Sequence, residues 1–475
     1  MNAFLGTLEK IVETINTYLS DYILIFLLVG TGLFYTIKTR FVQVRCFKEG
    51  VKKVFGNFSV RGGKQKSGLS SFQALATAIA AQVGTGNIVG ASGAILIGGP
   101  GAIFWMWVIA FFGMATIYAE AVLAQNTKIV QEDGNVLGGP VYYIKKAYKG
   151  KFGKILAGFF AVAAIFALGF VGAMVQSNSI ASTSSAAFHI PAWVIGLIVA
   201  AVCAFIFLGG VQRIAAVAEK IVPFMALLYI VLGLIVLGFN FEVIPETFGM
   251  IFKYAFRPDM IVKSAVGGGI GYALKQAISQ GAKRGLFSNE AGMGSTPHAH
   301  AMANVEKPHD QGVAAMIGVF IDTFIVLTMT ALVVISTMYT KDGVLANGFT
   351  EGMTMKVAMK DVVIESGNLV QLAMSTVFGS AVGNILVAVC LLFFAFTTIL
   401  SWNFFGKQNI EYLFGKKAVV PYYIIAIVFV FLGSIFKNSL VWDLTDMFNN
   451  LMVIPNVIAL IPLFAIVAAS AKKRK

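Results

Sequence analysis

The stretch AQVGTGNIVG, Ala81 to Gly90, decides the fold. It sits inside SGLSSFQALATAIAAQVGTGNIVGASGAILIGG, residues 67–99, a run apolar enough to cross a membrane as a helix. Gly84 and Gly86 each weaken a helix by roughly 1 kcal/mol relative to Ala, so the helix is expected to part around Thr85. Freed backbone groups at membrane depth are tolerated only where they face protein, water or a ligand. The half-helix starting near Thr85 would aim free amides and the positive end of its dipole into the gap, which suits a carboxylate. The preceding half would offer carbonyls near Ala80 and Val83, which suit a small hard cation. One glycine cluster is equally well explained by close helix packing, the common use of small residues in membranes. The rest of the chain has to separate the two readings.

Composition sets the class. The 475 residues are 58% hydrophobic and 12% charged, with a mean hydropathy of +0.81; this is a polytopic membrane protein in a lipid bilayer. The net charge of +14 comes from Lys and Arg in short loops between apolar runs, with no basic face, which excludes nucleic-acid binding. Cys46, Cys203 and Cys390 have no metal-ligand spacing among them, and structural disulfides are not expected. The N-terminal MNAFLGTLEKIVETINTYLSDY lacks the basic region and apolar core of a cleavable signal, so insertion is expected to be directed by the first span.

A length of about 20 apolar residues per crossing gives eleven spans, near 20–37, 68–97, 100–124, 153–178, 191–210, 214–238, 262–283, 311–338, 384–406, 418–436 and 442–468. Bases crowd alternate loops: Lys38 to Lys66, Lys145 to Lys151, Arg213 with Lys220, Lys283 with Arg284, Lys407 with Lys416 and Lys417, and the terminal KKRK. Those loops belong on the cytoplasmic side, placing the N-terminus outside and the C-terminus in the cytoplasm of the cell membrane. The apolar but short segment Asn368 to Ala381 reads as an interfacial or re-entrant helix in the long outer loop.

The second glycine-rich span is the seventh, with Gly267, Gly268, Gly269, Gly271, Gly281, Gly285, Gly292 and Gly294 in and after it. It lies five spans after the second, so the two point in opposite directions. Spans two to six (68–238) and seven to eleven (262–468) can then form a 5+5 inverted repeat, with 20–37 as an extra N-terminal helix in a single all-α domain. Two interrupted helices in corresponding places of inverted halves point to a midplane binding site in a secondary transporter.

Further motifs carry a family resemblance. GGPGAIFWMWVIAFFG, Gly98 to Gly113, looks like the signature of the sodium:alanine symporter family, the alanine or glycine:cation symporters; GTGNIVG, GGPVYYI (Gly138 to Ile144) and RGLFSNEAGMGSTPHAHA (Arg284 to Ala301) resemble further blocks of it. The resemblance implies sodium-driven uptake of small neutral amino acids on the fold of the bacterial leucine transporter, with no organic cofactor. Proteins resembling this family also take glutamine or prefer protons, so solute and ion stay open.

The resemblance also implies roles. Thr85 and Gly86 amides would hold the substrate carboxylate, with Gln82 and Asn87 nearby, and Ala80 and Val83 carbonyls would hold sodium. Thr397 and Thr398 in FFAFTTILSWNFF are the companion hydroxyls expected of the fold, and Trp402, one turn on, would wall the pocket. In LGFVGAMVQSNSI, Phe170 would line it and Gln176 would meet the amino group, while Leu274 and Ile278 would complete a small cavity suited to alanine or glycine.

Four acids lie within or near spans, and such groups are functional candidates. Asp322 is the deepest, serving either ion coupling or a structural bond. Glu120 and Glu219 are expected to pair with Lys128 and Lys220, and Glu290 with Arg284. An intramembrane enzyme finds little support: His298 and His300 at i and i+2 do not share a helical face, and neither HExxH nor GxSxG occurs. A channel would advertise rings of like residues from several chains, whereas this chain holds its own two-fold set of spans.

Overall fold

The computed structural model describes residues 2–56, 68–132, 134–257, 269–340, 343–357, 360–436 and 438–472. Among these, eight helices are long and apolar enough to cross a membrane. They are α1 (Glu9–Lys38), α5 (Ala102–Thr127), α6 (Gly150–Phe188), α8 (Gly210–Phe239), α11 (Pro308–Met338), α13 (Ser380–Phe414), α14 (Lys416–Gly433) and α15 (Ser439–Ala471). The pair α3 (Ser71–Gln82) and α4 (Gly86–Gly98) makes one span bent by 44°. α7 (Ala192–Phe207) is shorter. The remaining long helix, α9 (Gly269–Asn289), is followed by the short α10 (Pro297–Met302).

Several ends differ from the sequence expectation. The first helix begins well before residue 20, because its N-terminal part packs on α15, where Asn16 Nδ2 donates to the Asp443 carbonyl at 2.7 Å. α6 continues past residue 178 to Phe188 because the polar run there faces protein: Asn178 Nδ2 donates to the carbonyls of Gly433 at 2.8 Å and Phe436 at 3.0 Å. α9 runs to Asn289 rather than 283, so its break lies among Gly292 and Gly294, not the earlier glycines; Gly267 and Gly268 fall outside the described residues. Gly281 serves close packing, since a Cβ there would stand 2.6 Å from that of Trp105 on α5.

The segment between α11 and α13 contains an antiparallel hairpin, β3 (Thr354–Val357) with β4 (Lys360–Val363), following the small β1 (Ile129–Val130) and β2 (Val136–Leu137) pair earlier in the chain. After it α12 (Leu369–Phe378) forms where a short non-spanning helix is expected, ending at Gly379 with φ +76° before α13 begins.

The two interrupted helices lie side by side and antiparallel. Gln82 Nε2 donates to the Asn289 carbonyl at 2.7 Å, and a Cβ on Gly86 would stand 3.1 Å from Ser288 Cα, while just outside the two helices Leu69 and Ala303 form a parallel bridge. At the far end a Cβ on Gly98 would stand 3.2 Å from Ala277 Cα. These contacts set the first gap, 83–85, beside Ser288 and Asn289 at the end of α9, where the second gap begins.

Candidate functional site

The first gap spans Val83 to Thr85, between the end of α3 and a π-helical turn over Gly86–Gly90. Side chains take over the freed backbone groups. Asn87 Oδ1 accepts from the Gly84 amide at 2.9 Å, and Gln176 Oε1 accepts from the Thr85 amide at 3.1 Å and from Thr85 Oγ1 at 2.6 Å. On the other side Thr398 Oγ1 donates toward the Ala80 carbonyl at 2.9 Å and lies 3.3 Å from that of Ala81. Every one of these partners is a side chain from elsewhere in the fold or beyond the gap, as an interrupted helix at membrane depth requires.

Thr398 is thus brought to the carbonyl with which the sequence paired it. Thr397 is not: its hydroxyl bonds back to Phe393 and Phe394 carbonyls at 3.0 Å and faces Met225 Sδ at 3.6 Å, the back-bonding usual for threonine in membrane helices. Ala80, Gln82, Val83, Gly86 and Asn87 are all buried at the gap. Gln176, rather than standing free for an amino group, already closes the Thr85 amide, while its own Nε2 is buried with no hydrogen-bond partner among the described residues. Because the Thr85 N–H fixes Oε1 as the acceptor, the unpaired atom is a donor.

The second gap runs from Glu290 to Thr296, with Glu290 at φ +58°, Gly292 at +93° and Gly294 at +81°. A left-handed glutamate is uncommon, and its side chain is held at both oxygens: Trp402 Nε1 donates to Oε1 at 2.6 Å and Ser295 Oγ donates to Oε2. Glu120 on α5 secures the turn beyond it, with Oε2 accepting from the Gly292 amide at 3.1 Å and Oε1 from the Gly294 amide at 3.0 Å and Asn456 Nδ2 at 2.6 Å.

Two expected ion pairs are therefore replaced. Glu290 does not meet Arg284, whose Nη1 instead lies 3.1 Å from Asp446 Oδ1 on α15, its guanidinium 4.7 Å from the ring centre of Trp442. Glu120 does not meet Lys128, whose Nζ donates to the Ala303 carbonyl at 2.7 Å and Gln125 Oε1 at 2.8 Å. Sequence spacing favoured the nearest base in the chain; the fold buries Glu120 against backbone amides and Glu290 against side-chain donors. Glu219 accepts from Gln73 Nε2 at 3.1 Å.

Asp322 links the two gaps. It lies in a π-helical stretch of α11, Phe320–Leu327, and is fully buried; such turns recur at functional positions. Asn87 Nδ2 donates to Oδ1 at 2.6 Å, Ser288 Oγ lies 3.0 and 2.9 Å from the two oxygens, and Thr323 Oγ1 donates to Oδ2 at 2.8 Å. Of these, sequence reasoning missed Ser288 and Thr323. The polar pair Ser288-Asn289 ahead of two close glycines is a signal that could have located them.

Aromatic walls complete the centre. Trp402 packs edge-on to Phe287 with ring centres 5.7 Å apart, and a Cβ on Gly172 would stand 2.5 Å from Trp402 Cζ3. Phe170 stacks on Phe429 at 4.9 Å and leans on Tyr422 at 5.6 Å. Leu274 and Ile278 are not brought to this centre; they are half-buried on α9, about 21 and 15 Å along the helix from Ser288 at 1.5 Å per residue. His298 and His300 are buried, with His298 Nδ1 2.6 Å from the Ser295 carbonyl and Nε2 2.9 Å from Asn409 Nδ2, and His300 Nδ1 2.8 Å from Gln311 Nε2. Both are structural members of the second gap's far side.

Two facing interrupted helices, polar side chains closing the gaps and a buried carboxylate between them define a broken-helix secondary transporter of the membrane. The chain belongs to the sodium:alanine symporter family, whose sequence profile matches residues 5–474. It is 38% identical over 467 residues to the sodium/alanine symporter AgcS of Methanococcus maripaludis, covering 98% of this chain and 96% of that one. It is 41% identical to the putative sodium/proton-dependent alanine carrier protein YrbD of Bacillus subtilis, over 95% of this chain and 89% of that one. The probable sodium/glutamine symporter GlnT of the same organism is 37% identical, with 98% and 90% covered. In fold, the chain is similar to the solved structure of MhsT in complex with L-phenylalanine, with a TM-score of 0.56 at 15% identity, covering 86% of this chain and all of that one. The protein is accordingly a multi-pass amino-acid:cation symporter and not an enzyme.

Proposed function

We propose that this symporter imports small neutral amino acids, alanine and glycine, together with sodium, by alternating access around the two facing gaps. The observation that carries the reading is the first gap itself: Thr398 Oγ1 stands 2.9 Å from the Ala80 carbonyl across a break where the Gly84 and Thr85 amides are held by side chains. A sodium ion between Ala80, Val83 and Thr398 takes hard oxygen ligands. The substrate carboxylate exchanges with Gln176 Oε1 for the Thr85 amide, and Gln176 Nε2 supplies a further donor.

The antiparallel run of α3–α4 beside α9–α10 supports the division into inverted halves 68–238 and 262–468. With the N-terminus outside, α9 enters from the outer face; Arg284, expected in a cytoplasmic loop, lies instead within α9 ahead of the second gap, and its pair with Asp446 stands on the outer side of the gaps as a gate. One sodium moved inward across 100 mV releases about 2.3 kcal/mol, enough for nearly fiftyfold accumulation of a zwitterion before any sodium gradient is counted.

A second reading, proton coupling, is favoured by one observation: Asp322 is a buried carboxylate that joins the helices flanking the two gaps, through Asn87 and Ser288. Uptake of labelled L-alanine into sealed proteoliposomes separates them. Uptake with an inward sodium gradient and none with an equal proton or potassium gradient is the expected result. Uptake of glutamine alone, or uptake driven by protons alone, overturns the corresponding part of the proposal.

A further inference from the structure

Away from the gaps, on the short helices that follow the first span, three side chains of different chemistry converge. Cys46 lies between the turn Val42–Arg45 and α2 (Phe47–Phe55), Glu49 is in the first turn of α2, and His309 is in the first turn of α11. One ligand atom from each, thiol, carboxylate oxygen and ring nitrogen, lies within 4.8 Å of the other two. The ring nitrogen facing the carboxylate is Nε2, 3.3 Å from Glu49 Oε1.

The other ring nitrogen is fixed by the fold. Tyr118 of α5 places its hydroxyl 2.7 Å from His309 Nδ1, with the two rings edge to face. When Nδ1–H donates to that oxygen, the Nε2 lone pair is turned toward Glu49 and Cys46. A lone pair, a carboxylate and a thiol directed at one point form a cation-binding set, and the second-nitrogen bond is the support that metal-binding histidines commonly have. Of the four bases that line the cavity, Lys53 and Arg45 are engaged, with Lys53 Nζ 3.2 Å from Asp310 Oδ2 and Arg45 donating to the carbonyls of Thr39 and Ala471; Lys307 and Lys472 line it as well. All three candidate ligands line a single open cavity that gives an ion and a water their path.

We propose that Cys46, Glu49 and His309 bind a zinc-class divalent cation, with water from the cavity in the fourth position. Sulfur and imidazole ligands select zinc or a similar borderline-soft metal over magnesium or calcium. A tetrahedral zinc places its ligand atoms roughly 3.3–3.8 Å apart, so the set closes by a shift of about 1 Å, which the half-exposed Glu49 side chain can supply. An ion there ties α2, in the connection after the first span, to the start of α11 in the second half of the chain. This site is independent of the transport chemistry proposed above.

The test is a zinc titration of the full-length, tag-free protein in detergent against a competing chromophoric chelator. One equivalent is expected to bind at micromolar concentration or tighter, unaffected by excess magnesium. Binding is lost in His309→Ala and Cys46→Ser and weakens about 10–100-fold in Tyr118→Phe, where only the supporting hydroxyl is removed. Glu49→Gln, on a partly exposed side chain that carries little packing, provides a ligand variant that should fold normally and also bind more weakly. Cadmium gives a second readout, a thiolate charge-transfer absorbance that disappears in Cys46→Ser while Cys203 and Cys390 remain. No zinc bound by the wild-type chain at micromolar concentration, or Cys46→Ser keeping both the stoichiometry and the cadmium absorbance, overturns the proposal.

Discussion

Gly84→Ala is the substitution that most directly tests the first gap. A Cβ at this position would stand 2.4 Å from Thr398 Oγ1, 3.2 Å from Thr398 Cβ and 3.2 Å from Gln176 Oε1. Rotating the threonine removes only the first overlap, because its Cβ is also too near. Overpacking of this kind costs about 1–3 kcal/mol, and the displaced hydroxyl can no longer stand beside the Ala80 carbonyl. A ligand oxygen lost from a cation is worth roughly 1.5–3 kcal/mol, which is roughly a ten- to hundredfold rise in the sodium concentration for half-maximal uptake. The assay pairs sodium-dependent alanine uptake in proteoliposomes with thermal melting in detergent. Gly93→Ala is the control, because its Cβ would meet only Ser366 Cβ at 3.6 Å, an ordinary contact. In the double variant Gly84→Ala/Thr398→Ala the hydroxyl clash is gone while the 3.2 Å contacts to the residue-398 Cβ and Gln176 Oε1 remain, so melting should recover in part while sodium dependence stays impaired. Wild-type sodium half-saturation in Gly84→Ala, or recovered transport in the double variant, would refute the assignment of Thr398 to the cation.

Two further outcomes follow from the second half of the chain. Arg284→Gln and Asp446→Asn should each lower uptake severalfold, and the exchanged pair Arg284→Asp/Asp446→Arg should regain part of it; additive losses would remove the pair from the gate. Glu120→Gln puts an amide donor where a carboxylate accepts from Gly292, Gly294 and Asn456, a loss of about 2–3 kcal/mol that should appear as a lower melting temperature, and unchanged melting would contradict a role in holding the turn.

Some of the site was legible because its signals are local. Gly84 and Gly86 weaken the helix whatever surrounds them, so the first gap falls where the glycines lie; Thr398, together with Thr397, is a candidate only through the family resemblance. The second gap was harder to place. Eight glycines were candidates, and which of them pack against neighbours, as Gly281 does on Trp105, and which turn the chain, as Gly292 and Gly294 do, depends on what stands opposite. Leu274 and Ile278 were displaced by the same uncertainty, since a shift of the break along α9 moves every pocket residue counted from it.

The partners of the buried acids could not be read at all. Glu120, Glu290 and Asp322 each find donors more than 30 residues away in sequence, on Asn456, Trp402 and Ser288 among others. Hydropathy, loop charge and backbone propensity act over a turn or a span, and they determined a chain of membrane helices interrupted by glycines and joined by basic loops. Which side chains close the gaps was decided by tertiary structure, because a buried polar group must be satisfied by whatever the fold brings within about 3 Å, and proximity in space carries no mark in the order of residues.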